Sequence, residues 1–316
     1  MSQWIEKALG EVTSYIAKGI TPKYSDNLTE NTMYVLNQKC NRNYIISYEP
    51  ARIHDLIKKK ISKEKLLKKG DVLINSTGQG TAGRVAQIWD IPYPTATDGH
   101  MITLRASQEI DKLYYGYAIK AHQNQIESLA EGSTGQTEIN RRRLLEEVVI
   151  RFPKEKDVQY KIAHILENID KKIAINKKIN RNLKEQAQGI FEYMSKNAIE
   201  KKTLKEFIHI KHGFAFKGEF ISTDDNGIVL VTPGNFCIGG GFKEAKCKYY
   251  TGEIPENYIL EPNSLIVTMT DLSKAADTLG YGALIPLNKK RLYLHNQRIG
   301  LVQMISEKLP KDYIYW

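Results

Sequence analysis

The chain has 316 residues, enough for about two domains that each bury a core, and carries 46 Lys and Arg against 36 Asp and Glu, a formal charge of +10. That balance favours an anionic partner, nucleic acid or an acidic membrane surface, although charge alone fits simple solubility equally well. Cys40, Cys237 and Cys247 form no CxxC pair and no metal-ligand spacing, no apolar run reaches membrane-spanning length, and residues 1–10 lack a signal-peptide core; the expectation is a cytoplasmic protein without disulfides, metal or membrane contact.

In chain order, Leu9, Glu11 and Gly19 open the chain around a polar, basic stretch made of Lys18, Thr21, Lys23 and Tyr24. Such clusters usually position a phosphate backbone and only sometimes read bases. Residues 66–88, LLKKGDVLINSTGQGTAGRVAQI, predict a strand, a hydroxyl- and glycine-rich loop and a second strand. In that loop Ser76, Thr77 and Gln79 offer hydrogen-bonding groups, three glycines permit tight turns, and Arg84 follows at the edge. Gln79 can pair with adenine and Arg84 with guanine or phosphate, while a plain hairpin turn explains the same residues. No GK[ST] follows the loop, so nucleotide binding is not expected. ATDGHMITL at 96–104 adds Asp98 and His100. An amphipathic stretch, 114–130, then leads to GSTGQTEINRRRL at 132–144, where Ser133, Thr134, Gln136 and Arg141 are candidate DNA contacts. A helix cap with a solvated basic face is the alternative there.

Residues 157–194 contain no proline and one glycine, Gly189. Ile162, Ile165, Ile169, Ile173, Asn176, Ile179, Leu183, Ala187, Ile190 and Met194 recur at steps of three or four. This is a coiled-coil stripe, and it predicts a helical rod about 60 Å long at ~1.5 Å per residue. Pro153 stands where such a helix can start and Asn197 where it can stop. A rod of this kind needs a partner helix to cover its seam, and Asn176 would fix register; a long helix packed on its own domain is the alternative.

Beyond the rod the sequence repeats itself. Leu204, Glu206 and Gly213 answer Leu9, Glu11 and Gly19. Lys211, His212, Phe214 and Lys217 stand where the first basic stretch stands, and LEPNSLIVTMTDLSKAADTLGYGALI at 260–285 answers 66–88, with Thr270 and Lys274 in its loop. LHNQRIGLV at 294–302 answers ATDGHMITL, so that Asn296, Gln297 and Arg298 replace Asp98, Gly99 and His100. Three blocks in one order at nearly one offset predict a duplicated domain and not a solenoid. The KDYIYW at the end matches KLYYGY at 112–117, after which the first copy continues for about 80 residues; the second copy is therefore expected to be incomplete.

These residues together resemble the DNA-specificity (S) subunit of type I restriction-modification systems. The resemblance rests on the rod opening QYKIAHILENIDKKI, on GSTGQTEINRRRLLEEVVIRFP before it, and on both strand-loop blocks with their downstream ATDGH or HNQR. It implies an α+β fold with two target-recognition domains, 1–152 and 198–316, the second truncated, joined by a coiled-coil spacer helix at 153–197. Each domain would read half of a bipartite site in double-stranded DNA. The spacer, through Ile162, Ile165, Ile169, Ile173, Asn176, Ile179, Leu183 and Ile190, would dock methyltransferase (M) subunits, and restriction (R) subunits would join the complex. No cofactor is expected on this chain; S-adenosylmethionine, ATP and Mg are expected on the partner subunits. A second rod that family members normally carry is missing, which leaves an inactive remnant or a homodimer through the spacer helix as outcomes.

Catalytic signals are absent from the sequence. There is no [DN]PP[YF] block, no P-loop and no nuclease-like carboxylate cluster, and the histidines at 54, 100, 122, 164, 209, 212 and 295 are scattered. The expectation is a targeting subunit and not an enzyme. A self-contained nuclease or methyltransferase of unrecognised motif and a protein-binding scaffold remain as other classes, separable by whether the purified chain modifies DNA alone and by whether its DNA binding depends on salt.

Overall fold

Five of the six residues Met101–Ala106 are buried, an apolar run suited to the middle of a sheet. In the computed structural model, which describes residues 3–132, 137–198, 201–245, 247–270 and 278–316, this strand has a neighbour on each side. Thr13–Lys18 and Val72–Asn75 flank it, and Val85–Gln87 completes an antiparallel four-stranded sheet. A second sheet carries Thr95–Thr97, Thr32–Leu36, Arg52–Asp55 and Tyr24–Ser25 in that order, with its first pair parallel. Trp4–Ala8 pairs with Val149–Pro153, and the helices Lys112–Ala121 and Gln123–Ser128 account for the amphipathic stretch.

The main core of this part gathers Leu9, Ile74, Ile102, Leu104, Tyr115, Ile126 and Phe152. Tyr115 is fully buried, and its hydroxyl meets Thr13 Oγ1 at 2.7 Å, as a buried phenol requires. Asp71, also buried, holds the Arg105 guanidinium through two 2.7 Å bonds, one to each carboxylate oxygen.

One helix runs from Lys156 to Lys196, 41 residues. Pro153 does not open it: Pro153 closes the preceding strand opposite Trp4, and the helix begins three residues later. At the other end Asn197 Nδ2 donates to the Tyr193 carbonyl at 2.7 Å, capping an orphan acceptor of the last turn. The first turns belong to the adjoining core. Gln159, fully buried, accepts from Asp111 N–H and donates to the Pro153 carbonyl, and Ala163 and Ile162 pack into the main cluster. Tyr117 and Lys120 both reach Asp170, at 3.0 and 2.9 Å. The chain accordingly divides into two compact units inside the helix, 1–177 and 178–316, whereas the boundaries drawn from sequence lie at its two ends.

Ile162 is thus partly covered by its own unit. Of the other apolar seam positions, Ile165, Ile169, Ile173, Ile179, Leu183, Ile190 and Met194 are 46–62% exposed while Ala187 is half-buried, and Asn176 is exposed with them.

Within the second unit the same strand order recurs. Ile208–His212, Ile299–Met304, Leu265–Thr268 and Gly282–Leu284 form an antiparallel sheet. A five-stranded sheet orders Ile221–Ser222, Lys248–Tyr250, Ile228–Val231, Leu292–His295 and Ile259–Leu260, with the third and fourth parallel. A shared close approach fixes the glycines recognised in the sequence. A Cβ on Gly19 would lie 2.1 Å from the Thr97 and Asp98 carbonyl oxygens, and one on Gly213 would lie 2.2 Å from the Asn296 oxygen. Ile20 bridges Asp98 and Phe214 bridges Asn296 immediately beyond them.

Candidate nucleic-acid interface

In the first unit the strand Val72–Asn75 delivers its following loop to the turn at 98–100. Ser76 N–H donates to the His100 carbonyl at 2.8 Å, and the Ser76 carbonyl accepts from Ile139 N–H at 2.7 Å. Ser76 itself is buried, so its hydroxyl is withdrawn from solvent. Thr77 carries the next polar atom outward. Gln38 Nε2 donates to Thr77 Oγ1 at 3.0 Å, and Thr77 Oγ1 lies 2.9 Å from His100 Nδ1. The Thr77 hydroxyl thus links Gln38 to the His100 ring, which is exposed and presents its other nitrogen, Nε2, as a hydrogen-bonding group.

Gly78 has φ +106°, and a Cβ there would meet Thr81 Oγ1 at 2.3 Å and Gln38 Oε1 at 2.6 Å. The glycine therefore lets the loop fold over Gln38. Gln79 is exposed at the tip, and Arg84 Nη2 is tied back to the Gly80 carbonyl at 2.9 Å. Thr77 bridges Glu138, whose carboxylate pairs with Lys18. Lys18, Thr77, Gln79, Arg84 and His100 thus occupy one loop cluster.

Asp98 has a different place. It is buried, and its Oδ1 accepts the His100 N–H at 2.9 Å; burial pushes its carboxyl pKa up, against the pull of that hydrogen bond. Its side chain shapes the turn and leaves His100 as the exposed member. Asn296 does the same for Arg298 N–H at 3.1 Å. The chemistry offered outward at equivalent positions is therefore His100 in one unit and Arg298, beside exposed Gln297, in the other.

Thr21, Lys23 and Tyr24 are exposed, and the Arg52 guanidinium lies 4.8 Å from the centre of the Tyr24 ring. In the second unit Lys211 lies over the Tyr258 ring at 5.3 Å and donates to the Asn257 carbonyl at 2.7 Å. Phe214 packs against Phe216 and Tyr258, while His212, Lys217 and Thr270 are exposed. Buried His295 has one ring nitrogen 2.8 Å from the Ile299 carbonyl and no partner at Nδ1; desolvation holds its pKa below the ordinary value. Ser133, Thr134, Gln136 and Lys274 lie outside the described residues. Of the three arginines that follow, Arg142 pairs with Glu146 and Arg143 with Glu131 and Glu147, while Arg141 is exposed at the start of the helix Arg141–Glu147, which Asn140 caps.

Two features escaped the sequence reading. Gln38 joins the cluster from a separate turn, a contact that no local pattern announces. The lysines of segment 56–71 were legible as a charge run, but Lys58–Lys60, Lys63 and Lys65 lie outside any repeat block and only Lys68 and Lys69 fall within 66–88. Among the described residues no group of three or more His, Cys, Asp and Glu is placed to hold a metal ion, and no helix is long and apolar enough to cross a membrane.

A family model described as "Type I restriction modification DNA specificity domain" matches residues 1–185. The type I restriction enzyme HindI specificity subunit of Haemophilus influenzae is 24% identical over 194 residues, 61% of this chain and 40% of that protein, so the match spans less than half of the relative's length. The crystal structure of a type I restriction-modification system S subunit from M. genitalium superposes with a TM-score of 0.58 at 17% identity, over 99% of this chain and 75% of that one. It has the same fold.

Proposed function

The chain belongs to the type I restriction modification DNA specificity domain family, and from that membership we propose that it is a non-catalytic targeting subunit that selects a bipartite sequence in double-stranded DNA. The observation that carries this reading is the pair of equivalent turns, alike in backbone bonding through Asp98 and Asn296 but exposing His100 in one unit and Arg298 in the other. A shared frame with unlike donors suits two half-sites of different sequence. Methyltransferase and restriction subunits would supply the chemistry, with S-adenosylmethionine, ATP and Mg bound on them. The exposed stripe from Ile165 to Ile190 is where a methyltransferase subunit or a partner helix would seat.

The test is co-expression with the cognate methyltransferase subunit in a methylation-free host, followed by mapping of modified bases by single-molecule sequencing. A bipartite motif with unlike halves is expected; soluble protein with no motif would refute the targeting role. The exposed stripe also favours a second reading, a homodimer paired through the helix. It predicts a motif with like halves and a dimeric sedimentation coefficient, and a monomer in the presence of the methyltransferase subunit would exclude it.

A further inference from the structure

Between the strands Arg52–Asp55 and Val72–Asn75 the first unit carries seven lysines, Lys58–Lys60, Lys63, Lys65, Lys68 and Lys69, against Glu64 and Asp71. The second unit, between Lys248–Tyr250 and Leu265–Thr268, carries Glu253, Glu256 and Glu261 and no lysine or arginine. The two segments connect equivalent strands, so one place in the fold has opposite charge in the two units.

The lysine segment is anchored. Leu56, Ile61 and Leu66 pack against Ile20, Met33, Val35 and Ala96. Buried His54 takes the Lys23 N–H on Nδ1 at 2.9 Å, and its Nε2 is 2.8 Å from the Lys59 carbonyl, so one ring clamps both basic stretches. Lys59 Nζ then reaches the Thr21 carbonyl at 3.0 Å and Lys65 Nζ the Lys18 carbonyl at 2.6 Å. In the second unit the bond runs the other way, from Lys211 Nζ to the Asn257 carbonyl of the acidic segment. Lys58 has Asp55 beside it, whereas exposed Lys60, Lys63, Lys68 and Lys69 have no carboxylate partner among the described residues.

We propose that this lysine ridge is a phosphodiester-backbone contact of the first unit, held in register with Lys23 by His54, and that the second unit has no equivalent. The inference rests on the DNA-targeting reading. The ridge supplies sequence-independent affinity on one side of the site, and the second unit depends more on its exposed Gln297 and Arg298. An acidic segment at the same place keeps the second unit's phosphate contacts to other surfaces.

The experiment titrates the full chain against a labelled DNA duplex of arbitrary sequence over a range of salt concentrations. Wild type is compared with Lys60→Gln/Lys63→Gln/Lys68→Gln/Lys69→Gln and with a control that removes equal charge elsewhere, Lys205→Gln/Lys289→Gln/Lys290→Gln/Lys308→Gln. Each phosphate contact contributes about 0.9 to the slope of log affinity against log salt. The ridge variant is expected to flatten the slope by about 2–4 and to lose about 100-fold in affinity at low salt, with the control close to wild type. A ridge slope equal to wild type, or equal loss in both variants, would overturn the inference while leaving the targeting role standing. Wild type without salt-dependent binding would instead refute the targeting role, and the ridge with it.

Discussion

Replacing Asp71 by alanine tests whether the frame beneath the interface loops depends on a buried charge pair. The Asp71 side chain is 1% exposed and accepts from Arg105 Nε and Nη2 at 2.7 Å each and from Lys68 N–H at 2.8 Å. Truncation removes all three bonds and leaves a guanidinium that is 17% exposed without its counter-charge. Breaking a buried pair from one side costs about 3–5 kcal/mol; water reaching the edge of Arg105 recovers part, which puts Asp71→Ala at about 2–4 kcal/mol. For a unit of 177 residues, at about 2–4 °C per kcal/mol, the midpoint should fall by roughly 4–16 °C. Thermal unfolding followed by tryptophan fluorescence reads this, since Trp4 and Trp89 lie in the first unit and Trp316 in the second, and amide exchange assigns the loss to the first unit. Asp71→Leu/Arg105→Met should recover much of the loss, because an apolar pair leaves no stranded charge. A loss under about 1 kcal/mol for the single variant, or a double variant no better than it, would refute the reasoning.

Three further outcomes are expected. His295 has a folded-state pKa below its ordinary 6.5 because burial disfavours the charged ring; the second unit should keep its stability above that value and lose it as pH falls below, and a His295→Asn variant should lack that acid-side loss in urea titrations. If each unit reads one half-site as proposed, Arg298→Ala should relax the methylation motif at one base pair of one half, at about 1–3 kcal/mol of discrimination, and His100→Ala should do the same in the other half; variants that weaken all sites uniformly would assign these residues to phosphate contact instead. Ile173→Glu on the exposed helix stripe should leave thermal stability within about 0.5 kcal/mol of wild type, as surface substitutions do, yet abolish co-elution with the methyltransferase subunit on size exclusion, and unchanged co-elution would place the docking surface elsewhere.

Periodicity carried the long helix and the strand-loop-strand blocks into the sequence reading because both are local. The helix occupies Lys156–Lys196 against an expected 157–194, and Val72–Asn75 and Val85–Gln87 fall inside the 66–88 block. Pro153 misled for a physical reason: proline suits a helix start, but it also suits the last residue of a strand, and Trp4 across the ladder decided for the strand. Composition could not sort the polar loop residues by direction. Ser76 and Asp98 are as hydrophilic as Thr77 and His100, yet the first pair is buried and the second carries the outward relay. Gln38, which supports that relay, lies 39 residues away from Thr77 along the chain, beyond the reach of any window.

On the proposed targeting role, the division of labour within the turn at 98–100 would let two units of one fold read unlike sequences. The inward residue must offer an acceptor to the N–H two positions on, and both Asp98 and Asn296 do so, at 2.9 and 3.1 Å. That bond, with the close approach of Gly19 or Gly213 to the carbonyls beside it, holds the backbone whatever the outward side chain is. The outward residue meets no such demand. Exchange of His100 for another side chain would therefore change the group offered to DNA without reshaping the turn, whereas exchange of Asp98 or Gly19 would reshape the turn and with it every neighbouring contact. Thr77 sits between these cases: its hydroxyl orients His100, so Thr77→Val should leave the fold intact and release the imidazole. The expected signature is a half-site motif that broadens at the His100 position while overall methylation persists. A motif as sharp as wild type would show that His100 is positioned by its backbone alone.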